Sequence, residues 1–162
     1  MLSDHSFKAV YRSEEDNILR DFYFPALTRS IRYKRAVGFF SAAMLSYAAQ
    51  GLSALIRNGG TMDLIVGYEL ASDEAKAIEE GYDIREISTR VGKEFVHLIE
   101  SVDDDLFDNR LKSLSWMIAG GALNVKVALR RKGMYHEKIG VFIDETGQSI
   151  VFEGSANETV NA

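Results

Sequence analysis

The chain has 162 residues, 46% of them apolar and 27% charged, with a net charge of −5 and no cysteine. This is the make-up of one ordinary globular domain long enough to bury a core, and it excludes disulfides and thiolate metal sites. No apolar run reaches membrane-spanning length, and the opening Met1-Leu2-Ser3-Asp4-His5 lacks the basic-then-apolar form of a secretory leader, so a reducing, cytoplasmic setting is expected.

Alternation of apolar and polar residues from Phe7 to Tyr11 predicts a short first strand. Ser13-x-x-Asp16 has the form of a capping box, and the helix it would start carries Ile18, Leu19, Phe22 and Tyr23 on one face. Pro25 interrupts or restarts that helix, since it has no amide to donate. Arg35 to Phe40 reads as an apolar strand, with Ser41 placed to cap a helix from Ala42 to Arg57 that stops at Asn58-Gly59-Gly60. Thr61 to Tyr68 is the next strand. Strand, helix and strand in so short a span predict a right-handed crossover and parallel pairing.

Ser72-Asp73-Glu74 predicts a short helix ending near Gly81-Tyr82. The pattern from Ile84 to Ala119 is mostly helical, with a break expected around Ser101 to Asp105 and an end at Gly120-Gly121. Asn124 to Leu129 is a strand and Arg130 to Gly133 a turn. Tyr135 to Ile143 and Ser149 to Glu153 form a hairpin through Glu145-Thr146-Gly147-Gln148. The whole, residues 1–162, is read as one α/β domain. Its sheet is expected to be mixed and largely parallel, flanked by helices on both faces, with an antiparallel hairpin at the candidate site.

That hairpin carries the chemistry. Side chains two apart on a strand share a face, so His136 and Lys138 project together. The returning strand brings Gly154-Ser155-Ala156-Asn157 beside them. A nucleophile, a cation and two neutral hydrogen-bonding groups suit a phosphate. The plainer readings are a salt bridge from Lys138 to Asp144 or Glu153, and a simple turn into a helix capped by Ser155 or Asn157. Such a helix start would itself favour an anion.

Charge is unevenly spread. Residues 63–108 hold 14 acids and 4 bases, whereas 110–138 hold 7 bases and 1 acid, leading into His136. A local positive field there would attract phosphate, although helix surfaces also carry charge for solubility alone. Arg130, Arg131 and Lys132, together with Arg32, Lys34 and Arg35 around Tyr33, are the candidate DNA contacts. A basic edge before a buried strand is the equal alternative for the second group. His5 and His97 read as surface residues, and the three histidines lack metal-ligand spacing, so no metal site is expected. Asp103-Asp104-Asp105 lacks the calcium-loop pattern, and the glycine pairs lack a phosphate-loop fingerprint.

His136, Lys138, Gly154, Ser155 and Asn157 together resemble the phospholipase D superfamily, whose signature reads H-x-K-x4-D followed by G-S-x-N. The acid departs from it: the family position holds Ile143, and Asp144 follows one residue later, a slip that a bulge could absorb. Upstream, Phe24-Pro25-Ala26-Leu27, Ser30-Ile31-Arg32-Tyr33, Ala36 to Ser41 and Gly59-Gly60 resemble the N-terminal module of bacterial DEAD/DEAH-box helicase and type III restriction-like proteins. The resemblance implies a nuclease acting on DNA or RNA through a phosphohistidine, without cofactor, ATP entering only through a motor domain that follows. His136 would attack, while Lys138, Asn157 and Ser155 bind the phosphate.

The family mechanism uses two H-x-K motifs, so the resemblance also implies a homodimer that pairs two His136 side chains. A carboxylate that orients the histidine would fall past Ala162, so the chain is expected to be an N-terminal fragment, weakly active by itself. The other function classes are a non-catalytic nucleic-acid-binding or scaffold module of the same fold, and a phospholipid hydrolase or transferase; for the last, no membrane-seeking segment stands out.

Overall fold

The computed structural model describes residues 1–40, 49–67, 72–91, 110–128 and 135–154. Five strands form one sheet: β1 (Arg32–Val37), β2 (Thr61–Gly67), β3 (Leu123–Ala128), β4 (Lys138–Ile143) and β5 (Ser149–Glu153). The helices described are α1 (Phe24–Thr28), α2 (Ala49–Arg57), α3 (Ser72–Val91) and α4 (Arg110–Ala119), with a 3-10 turn at Leu2–Asp4. Strand order is β3-β2-β1-β4-β5. β1 pairs parallel with β2, and β2 with β3, while β4 runs antiparallel to both β1 and β5. The sheet is therefore evenly mixed rather than largely parallel.

One face of this sheet is buried. Tyr33, Val37, Met62, Leu64, Val66, Leu123, Val125 and Phe142 occupy it and join Leu52, Leu55, Leu114 and Ile118 of the helices in the core. The opposite face carries Arg32, Lys34, Ile65, Lys126, Ile139, Val151 and Glu153, all exposed. Helices on both faces, the expectation from sequence, are not seen among the described residues. The topology gives the reason. β1 to β2 and β2 to β3 step in the same direction, and right-handed connections then place both crossovers on the same face.

Local chemistry explains where the elements begin and end. Asn17, not Ser13, caps the first helical segment: its Oδ1 accepts from the Arg20 amide, and Asp21 accepts from the Asn17 amide. Residues Leu19–Tyr23 form a π-helical turn in which the Phe24 amide bonds back to the Leu19 carbonyl. The wide turn runs straight into α1, with Pro25 in its first positions, where a missing amide costs nothing. The segment from Phe7 to Tyr11 is not a strand. Its rings pack instead on Phe22, at 6.1 Å from Phe7 and 5.1 Å from Tyr11, and His5 sits half-buried against Phe7 rather than free in solvent.

Gly81 does not stop α3. A Cβ there would lie 2.7 Å from the Ser115 carbonyl oxygen and 2.8 Å from the Ile118 Cβ, so the glycine is the notch at which α3 and α4 cross. Arg85 of the same helix donates to the Ile118 and Leu123 carbonyls and to Asn124 Oδ1. It thereby closes the end of α4 and the turn into β3. Asn124 passes the chain on to Asp63, at 3.0 Å.

The hairpin is held to β1 from its covered side. Phe152 lies across Gly140, where a Cβ would be 2.1 Å from its ring. It stacks on Phe142 at 5.3 Å and meets the Arg35 guanidinium at 5.0 Å. Gly140→Ala must displace that ring. Overpacking of this kind costs about 1–3 kcal/mol, which urea unfolding should register as a lower midpoint with an unchanged slope.

Candidate active site

β4 runs against β1, so its first residue, Lys138, pairs with Val37 at the C-terminal end of β1. His136 stands two residues earlier, beyond the paired region and exposed. The two side chains meet: Lys138 Nζ lies 2.8 Å from His136 Nε2. An ammonium has only donors, so the contact requires Nε2 to accept, which is the tautomer with its ring proton on Nδ1. The pair occupies the rim outside the carboxyl ends of the parallel strands, the usual place for ligands in open α/β sheets.

The returning strand delivers Gly154 to the same rim. Its amide donates to the Lys138 carbonyl at 3.2 Å, one rung beyond the Ile139–Glu153 pair. A Cβ at Gly154 would meet nothing within 4 Å among the described residues. Ser155 and Asn157, and the basic trio Arg130, Arg131 and Lys132, lie outside the described residues. No ion pair joins Lys138 to Asp144 or Glu153 among the described residues. Glu153 pairs with Ile139 and so faces the opposite side of the sheet from Lys138.

Asp144 is not part of this rim. The pairing of β4 with β5 is regular from Ile143–Ser149 to Ile139–Glu153, so no bulge draws the acid back into the strand. It sits past the far end of β4, roughly 20 Å from Lys138 at about 3.4 Å per residue. There it is buried, accepting hydrogen bonds from the Leu2 amide at 2.9 Å, the Thr146 amide at 2.9 Å, the Thr146 hydroxyl at 2.7 Å and the Gln148 amide at 3.0 Å. These donors, the Leu2 amide foremost, hold its carboxyl below the ordinary value of 3.8. Asp144 ties the hairpin turn to the N-terminus.

The cations of β1 divide by face. Arg32 and Lys34 are exposed on the open side. Arg35 is 3% exposed and lies over Phe152, so it does not offer a surface contact to DNA. Among the described residues, no group of three or more histidine or carboxylate side chains is placed to hold a metal ion. No helix of the described residues is long and apolar enough to cross a membrane. Neither a protein-family model, nor a curated protein, nor a solved structure matches the chain significantly.

One feature of the rim escapes sequence reasoning. Gly38 is buried directly beneath His136: a Cβ on it would lie 2.9 Å from the His136 Cα. The cue available was a glycine at a strand end, which can mark close backbone approach.

The Asp144 network makes a pH prediction. With its folded value depressed, the preference of the folded state for the ionised carboxyl is fully present above 3.8 and is lost as pH falls through the depressed value. Wild type should therefore be more stable than Asp144→Asn at neutral pH, and the gap should close on acidification. Urea midpoints that differ by a constant amount down to strongly acidic pH would contradict the assignment.

Proposed function

We propose that this domain cleaves phosphodiesters in DNA, with His136 as nucleophile and Lys138 as the cation that receives the phosphate. The contact between Lys138 Nζ and His136 Nε2 carries the reading, because it brings a nucleophilic nitrogen and a fixed positive charge onto one exposed rim. The likeness of His136, Lys138, Gly154, Ser155 and Asn157 to the phospholipase D signature supports it.

The chemistry follows from what each group can exchange. In the resting site the ammonium donates to the Nε2 lone pair. An arriving phosphodiester offers better acceptors, so Lys138 transfers its hydrogen bond to a nonbridging oxygen and frees Nε2. That nitrogen attacks phosphorus, an N–P bond forms, and the P–O bond to the leaving nucleotide breaks. Lys138 neutralises charge on the oxygens as it develops. The leaving oxygen needs a proton, which we assign to the partner subunit's His136, entering the cycle as the imidazolium, in a twofold homodimer. The same group then takes a proton from water, which cleaves the N–P bond and releases product. Arg32 and Lys34 supply backbone contacts for the nucleic acid.

Turnover should persist in excess chelator. His136→Ala should abolish it while leaving DNA affinity nearly unchanged, because the nucleophile acts on the transition state. Lys138→Ala should weaken both. DNA binding without cleavage, unaffected by His136→Ala, would identify a binding module instead, and cleavage of phosphatidylcholine in preference to DNA a lipid enzyme. Sedimentation should show a dimer, and a strict monomer with full activity would exclude the shared-histidine step.

A further inference from the structure

We infer that Gly38 and Gly67 are positioning residues for His136: a two-step floor without side chains on which the chain before β4 rests, setting the imidazole at bonding distance from Lys138. The inference rests on reading His136 as the nucleophile. A Cβ at Gly38 would lie 2.7 Å from the Tyr135 carbonyl oxygen, 2.9 Å from the His136 Cα and 3.1 Å from its Nδ1. A Cβ at Gly67 would lie 2.2 Å from the Gly38 carbonyl oxygen and 3.5 Å from that of Tyr135. The close contacts are mostly with backbone, which cannot swing aside as a side chain does.

Neither glycine is there for its backbone freedom. Positive φ occurs at Gly59, Gly121 and Gly147, not at Gly38 or Gly67, so neither is held in the left-handed region that disfavours alanine. What they contribute is space. Gly67, at the end of β2, lets the Gly38 carbonyl settle against it, and Gly38, just past β1, then lets Tyr135 and His136 lie on the strand ends. A methyl group at Gly38 displaces the His136 backbone by about half an ångström to restore ordinary contact, which begins at 3.4 Å, and one at Gly67 acts through the Gly38 carbonyl, which must move by more than an ångström. The Lys138 backbone is pinned to Val37 in the ladder and does not move with His136. The 2.8 Å bond between the two is the quantity that changes.

Gly60 supplies the matched control. It sits before β2 at the opposite rim, and a Cβ there would be 2.7 Å from the Leu55 carbonyl oxygen and 2.9 Å from that of Ile31. The crowding is similar but far from His136. The experiment compares Gly38→Ala, Gly67→Ala and Gly60→Ala with wild type, in the full chain, by three readouts: urea stability, kcat and KM on a nitrophenyl phosphodiester in chelator, and the side-chain 15N resonances of His136. All three variants should lose stability. Only Gly38→Ala and Gly67→Ala should lower kcat, by roughly 10–100-fold as expected for a misplacement of up to about 1 Å. Their KM should hold, and the His136 Nε2 resonance should leave its hydrogen-bonded position.

Equal loss of kcat in Gly60→Ala, or an unmoved His136 resonance in Gly38→Ala, would overturn the proposal. If wild type shows no phosphodiesterase activity the nuclease reading fails, while the resonance comparison still decides whether the glycines position His136. Should Gly38→Ala be unfolded in buffer, the comparison is repeated with an excluded osmolyte that favours the compact state. A variant that stays unfolded even there counts against positioning and in favour of a purely structural glycine.

Discussion

A column of four planar groups crosses the seam between the parallel and antiparallel halves of the sheet. Tyr33 stacks on Phe142 at 4.5 Å, Phe142 on Phe152 at 5.3 Å, and Phe152 faces the Arg35 guanidinium at 5.0 Å. Each ring adds large apolar burial, and the terminal cation adds attraction to the ring face. The column closes only because Gly140 has no side chain, which leaves Phe152 room to reach from β5 across β4 to β1. It fixes the register of β4. A slip of one residue would turn Lys138 to the open face, away from His136, so the contact at one end of the strand depends on packing in its middle.

The strands were largely legible, because alternation along a half-buried sheet writes itself into the sequence. Ser149–Glu153 appears with the expected bounds, and the turn from Glu145 to Gln148 joins it to β4. The start of β1 was not legible. Arg32 and Lys34 read as a basic edge before a strand that began at Arg35, yet they are the solvent-facing members of the alternation, with Tyr33 and Arg35 inward. Phe7 to Tyr11 has the same alternation and no strand partner among the described residues, and a strand exists only through its partner. Gly81 carried the sign of a helix end, and only the closeness of Ser115 and Ile118 explains why the helix continues. Tertiary contacts decide such cases, and local spacing cannot encode them.

The candidate site divides in the same way. Strand period predicted that His136 and Lys138 share a face, and the two do meet, but the strand expected from Tyr135 begins only at Lys138, so the contact depends on the chain before β4 rather than on the pleat. The fate of Asp144 was not legible, since the Leu2 amide that binds it lies 142 residues away in the chain. The same holds for Arg35: its neighbours in sequence are exposed cations, and only the sheet's register turns it inward onto Phe152. An acid that resembles a motif member thus serves the architecture, and the residues beneath the histidine that set its height are glycines with no chemistry of their own.

The hydroxyl of Tyr82 in α3 donates to the Val125 carbonyl and accepts from the Val125 amide, at 3.0 and 2.8 Å. One side chain thereby satisfies both main-chain groups that β3 would otherwise present to solvent at the middle of its outer margin. β5, at the other margin, receives no side-chain hydrogen bond among the described residues, and its Val151 is 66% exposed. Among the described residues the two margins of the sheet therefore differ, the Val125 groups of β3 being engaged by a helix side chain and those of β5 by none, and the margin so left runs alongside Gly154 at the rim.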